Sequence, residues 1–150
     1  MPASAFEYAL LRLVPRVERG EQINIGVVLL CRQQRFLGMR AQLDEGRIAA
    51  LWPDLDLEPV REQLAAFELV CAGGAAAGPI GELPIYERFR WLTATRSTII
   101  QPSAVHCGLC EQAAAMLAHI FAEMVLVPSG VAAEGIRENN HQTAQKALGQ

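Results

Sequence analysis

A chain of 150 residues with 51% hydrophobic residues fits one domain with a substantial core, because a domain of this size buries roughly two thirds of its unfolded surface. Thirteen basic against sixteen acidic residues leave a net charge of −3 and a pI near 5.6, a balance that argues against wholesale nucleic-acid binding. The apolar runs fall short of the roughly 18 residues a membrane span needs, and Glu7, Arg12 and Arg16 interrupt any signal-peptide pattern; a cytoplasmic location with reduced cysteines is therefore expected.

Residues 5–14, "AFEYALLRLV", are rich in aromatic and branched side chains and stop at Pro15. A turn-like "PRVERGEQ" leads to "INIGVVLLC", and "QQ" separates that run from "RFLGMRAQL". Three runs joined by short connections predict an antiparallel meander, with Gly26 marking a bulge or a close backbone approach. Asn24 lies between Ile23 and Ile25, so alternation points it away from their shared face.

The period then changes. "DEGRIAALW" opens with an acidic turn suited to a helix N-terminus. In "LEPVREQLAAFELVCAGG" the residues Val60, Leu64, Phe67 and Val70 recur every three or four positions, predicting a helix over 57–72 that Gly73-Gly74 stops. Residues 72–84 read as a Gly-, Ala- and Pro-rich loop. "RFRWLTATRSTIIQPS" reads as two strand-like pieces either side of Ala94-Thr95. Residues 111–127 predict a long apolar helix with Met116, Leu117, Ile120 and Phe121 on its buried stripe. The expected fold is a single α+β domain over 1–128, with a mostly antiparallel sheet of about five strands against two or three helices. The helices at 57–72 and 111–127 are expected to cover one face, and 129–150 reads as a polar, flexible tail.

The one chemically suggestive stretch is "SAVHCGLCEQ", residues 103–112. Zinc sites are usually assembled from two paired knuckles, and this chain has one CxxC with Cys31 and Cys71 far away in sequence. The haem signature places its histidine after the second cysteine, not before the first as His106 does. Cys110 near a helix N-terminus keeps a redox role open, but the reading that prevails is two reduced thiols and no metal. No Ser-centred elbow, Walker loop or dinucleotide fingerprint is present, so no cofactor is expected and the reading leans away from an enzyme.

The blocks "EYALLRLVPRVERGEQINIGVVLLC", "RFLGMR" and "RFRWLTATRSTIIQPSAVHCGL" resemble a bacterial family of uncharacterised proteins, domain of unknown function 3037, over residues 6–126. In the family's pattern a threonine stands where this chain has Cys107, so the chain departs from it at the pair that looked most chemical. The resemblance implies a bacterial cytoplasmic protein and brings forward a kinase-fold protein as one partner.

Polar residues within these apolar blocks form the candidate ligand site: Asn24, Arg96, Ser97, Thr98, Gln101 and His106. A guanidinium flanked by hydroxyls suits a phosphate or carboxylate, because its fork grips such groups bidentately. Three readings compete. The leading one is a non-enzymatic binding or accessory module acting through a protein partner, a homodimer being the alternative assembly. The second is a small enzyme or ligand-binding domain with an anion site around Arg96. The third is a nucleic-acid-binding domain using Arg12, Arg40, Arg88, Arg90 and Arg96.

Overall fold

The first strand, β1 (Ser4–Leu13), carries apolar side chains in both phases of its alternation, which requires cover on both faces. The computed structural model, which describes residues 2–127, places β1 inside the sheet. β2 (Ile23–Cys31) pairs antiparallel along one side of it, and β3 (Phe36–Ala41) pairs antiparallel beyond β2. Along the other side run β4 (Ile100–Pro102) and β5 (His106–Cys110), one behind the other and both antiparallel to β1. β5 opposes residues Ser4–Tyr8 and β4 opposes Leu11–Leu13, so together they act as one interrupted strand. The interruption is bridged by Ser103, whose hydroxyl oxygen accepts the Leu10 N–H at 2.8 Å, while its backbone N–H donates to the Leu10 carbonyl at 2.8 Å.

The bulge expected at Gly26 lies where the β1–β2 register shifts: Leu11 faces Gly26 and Arg12 faces Asn24, leaving Ile25 extra. A Cβ on Gly26 would stand 3.0 Å from the Arg40 carbonyl oxygen, so the close approach needs the missing side chain.

Among the described residues four α-helices complete the fold. α1 (Glu45–Leu51) starts at Asp44, whose carboxylate accepts the Arg47 N–H at 3.1 Å. α2 (Glu58–Ala72) buries Val60, Leu64, Phe67 and Val70, and ends at Gly73 with φ +80°. α3 spans Ile85–Leu92 and α4 spans Ala113–Met124.

The sheet is covered on both faces. Leu11, Leu13, Ile23, Ile25, Val28 and Leu30 pack with α2 and α3. Phe6, Leu10, Val27, Leu29 and Cys31 pack with Ala113, Leu117 and Ile120 of α4. The two main helices thus lie on opposite faces, not on one as the sequence suggested. The physical reason is the doubly apolar character of β1 and β2, which a single helical layer leaves half exposed.

Three local assignments also change. Residues 75–82, expected as loop, form two 3-10 turns broken at Gly78 (φ +72°). The strand-like piece beginning at Arg88 is the second half of α3. Its apolar positions Ile85, Phe89 and Leu92 follow helical spacing once the segment is read from Pro84, whereas a window opening at Arg88 mimics alternation. The stretch "HCGL", assigned to no element from the sequence, is most of β5. The predicted tail 129–150 lies outside the described residues. No single helix among those described is long and apolar enough to cross a membrane.

Candidate functional site

The six residues singled out in the sequence fall into separate places. Asn24 and Gln101 flank Arg12 in register across β2, β1 and β4, on the α4 side of the sheet. Asn24 donates to the Met124 carbonyl at 3.1 Å and accepts from Arg12 Nε at 3.4 Å, tying the end of α4 to the sheet. Gln101 donates to the Thr98 carbonyl at 3.1 Å. His106 is on the same face as Tyr8, its cross-strand partner, with ring centroids 5.3 Å apart, further along β1.

Arg96 lies on the other side of the sheet. Its guanidinium donates to the carbonyls of Leu92 (3.0 Å) and Trp91, and stacks over Trp91 at 4.6 Å and Phe67 at 4.9 Å. It therefore caps the last turn of α3, and burial holds its basicity below the usual arginine value. Thr98 donates to the Ile100 carbonyl at 2.8 Å and accepts from Gln63, and Ser97 is exposed. The arginines of the nucleic-acid reading do not share a surface either. Arg12 and Arg40 are on the α4 side, Arg90 is on α3, and Arg88 is buried with its guanidinium on the carbonyls of Val70, Cys71 and Leu83.

The CxxC question is decided by the strand. Residues three apart in β5 point to opposite faces, so Cys110 is buried under α4 while Cys107 is exposed on the α3 side. The two thiols cannot converge on one ion or bond to each other. Cys110 neighbours Cys31, and burial with that thiol beside it pushes the Cys110 thiol up. The two sit on β2 and β5, the strands flanking β1, and both are buried free thiols. All four cysteines are free thiols, and no group of three metal-ligating side chains occurs among the described residues.

A different concavity gathers polar groups. Between α3 and the first half of β1 lies a groove of about 260 Å³, lined by Glu7, Leu30, Arg32, Tyr86, Phe89, Arg90, Thr93 and Val105. Glu7 forms its floor, paired across the sheet with Leu30 and Cys107. Arg32, just past the end of β2, lies 4.5 Å above the Tyr86 ring. Thr93 donates back to the Phe89 carbonyl at 2.9 Å, closing the helix end. The groove opens toward β5, where no helix among the described residues covers the α3-side face. Leu109 there is 69% exposed and Val105 42%, and Ala5 and Cys107 are exposed beside them. Sequence reasoning missed this site, because Glu7 on β1, Arg32 in the turn after β2, and Tyr86 and Arg90 on α3 are far apart in the chain. The one available signal was the uncharged apolar "HCGLC", which is unusual for an edge strand.

The fold and this surface define a small α+β domain with an open, apolar sheet edge beside a groove carrying both signs of charge. The chain belongs to the family whose model is described as "Protein of unknown function (DUF3037)", which matches residues 8–125. No curated protein and no solved structure matches the chain.

Proposed function

We propose that this domain is a non-enzymatic accessory module of the bacterial cytoplasm that works by binding a protein partner, which adds an extended segment to β5. The observation that carries the reading is the state of that edge. Among the described residues β5 pairs with β1 alone, and its outer face presents Leu109, the most exposed of their large hydrophobic side chains. Natural edge strands are blunted by charge or proline, as Arg40 does for β3 at the opposite edge. β5 has neither, so its unpaired backbone groups and apolar side chains are available together. Gly108 keeps the strand flat against β1, since the Phe6 ring fills the space a Cβ would take at 2.7 Å. The partner segment is expected to be aliphatic where it meets Val105 and Leu109, and acidic where it meets Arg32 and Arg90. A kinase-fold protein is the first partner class to test.

Tagged wild-type protein and a Leu109→Lys variant should be used for affinity purification from the native host, and the captured protein then reconstituted with each. Hydrogen exchange should slow at residues 106–110 in the wild-type complex, and Leu109→Lys should abolish binding. Protection confined to other segments, or binding indifferent to Leu109→Lys, refutes the reading. A protected β5 in a homodimer of this chain assigns the edge to a second copy instead.

A further inference from the structure

We infer that the groove beside β5 is a carboxylate-recognition pocket, in which Arg32 and Arg90 hold the side chain of a glutamate carried by the segment that adds to the edge. This rests on the reading of β5 as a docking strand and deepens it by naming what the partner must present.

Most of the described arginines have a hydrogen-bond or ion-pair partner, Arg32, Arg35, Arg40 and Arg90 being the ones without, and of these four only Arg32 and Arg90 line the groove. Arg16, Arg19 and Arg61 pair with Glu18, Glu21 and Glu45, while Arg88 and Arg96 are used on helix-end carbonyls. Arg32 and Arg90 line one groove, and among the described residues neither makes an ion pair or a side-chain hydrogen bond. Stacking on Tyr86 orients the Arg32 guanidinium while leaving its in-plane donors unused, the arrangement a bidentate carboxylate needs.

The charge count selects the ligand. Two guanidiniums against the half-buried Glu7 leave one positive charge in the groove, which matches a monovalent carboxylate better than a phosphate dianion. The shape agrees, because Leu30 and Val105 offer apolar surface to a methylene stem. A volume of about 260 Å³ admits an amino-acid side chain and is small for a nucleotide. Val105 also stands immediately before β5, so a residue of an added strand facing the α3 side is within reach of the pocket.

The test is an NMR titration of the full chain with N-acetyl-glutamate N-methylamide, its glutamine counterpart and inorganic phosphate, following arginine side-chain and Tyr86 ring signals. The glutamate probe should bind about tenfold more tightly than the glutamine probe, and Arg32→Gln and Arg90→Gln should each weaken it about fivefold. Arg90→Lys, which keeps the charge without the fork, should fall between. Equal response to both amide probes, tighter binding of phosphate, or indifference to both glutamine variants overturns the proposal. The small probe does not reach Leu109, so Leu109→Lys should leave its binding intact. Probe binding without strand addition at β5 therefore defeats the docking reading alone. A β5 partner whose affinity ignores Arg90→Gln defeats the pocket alone.

Discussion

Replacing Arg96 with alanine should lower the unfolding free energy by about 2 kcal/mol, because its guanidinium is used within the fold. The carbonyls of Leu92 and Trp91 receive charge-assisted bonds worth about 1.5 kcal/mol together once discounted for partial exposure. Stacking over Trp91 and Phe67 adds about 1.5 kcal/mol. The cation at the negative end of α3 adds roughly 0.5 kcal/mol. Ordering the long side chain opposes these by about 1.5 kcal/mol. Arg96→Lys keeps the charge and loses the planar stack and fork, so about half the loss is expected. Urea unfolding followed by far-UV circular dichroism, at unchanged m-value, measures both variants. A loss below about 0.5 kcal/mol for Arg96→Ala would refute the structural role and return this arginine to the candidate ligand groups.

Gly73→Ala should cost about 2 kcal/mol or more, since φ is +80° there and the new Cβ would stand 2.7 Å from Arg88 Nη1, disturbing the bonds that end α2; chemical denaturation reads it. Ser103→Ala should cost about 1–3 kcal/mol and accelerate hydrogen exchange at Leu10, whose buried N–H loses its acceptor. At pH 8 the native protein should give Ellman's reagent one fast thiol, the exposed Cys107, with the other three reacting on unfolding. Burial pushes the Cys71 thiol up to about 11 from 9.0, so its folded state keeps a proton that the unfolded chain releases. The corresponding stability is fully present below pH 9 and should be lost as pH rises through 11, by about 2–3 kcal/mol in all; Cys71→Ala should flatten that fall in pH-dependent urea titrations.

Much of the fold was legible because its signals are local. Val60, Leu64 and Phe67 recur at helical spacing whatever surrounds them, and Gly73 stops that helix through its own backbone freedom. The apolar runs of β1 and β2 and the bulge near Gly26 were likewise readable, since alternation and glycine placement are properties of a few neighbouring residues. Which face each helix covers was not, because α2 and α4 both carry apolar stripes and only packing against a doubly apolar sheet separates them. The same limit governed the chemistry. Arg96 in its polar run looked like a ligand fork, yet its acceptors are carbonyls of a helix that sequence reading had taken for a strand. Cys107 and Cys110 looked like a pair until strand geometry set them on opposite faces. The groove of Glu7, Arg32, Tyr86 and Arg90 joins residues up to 83 positions apart (90 − 7), a proximity no local pattern encodes. Composition and periodicity determined the elements and the class of fold; tertiary packing alone decided which polar groups were used inside it and which were left facing out.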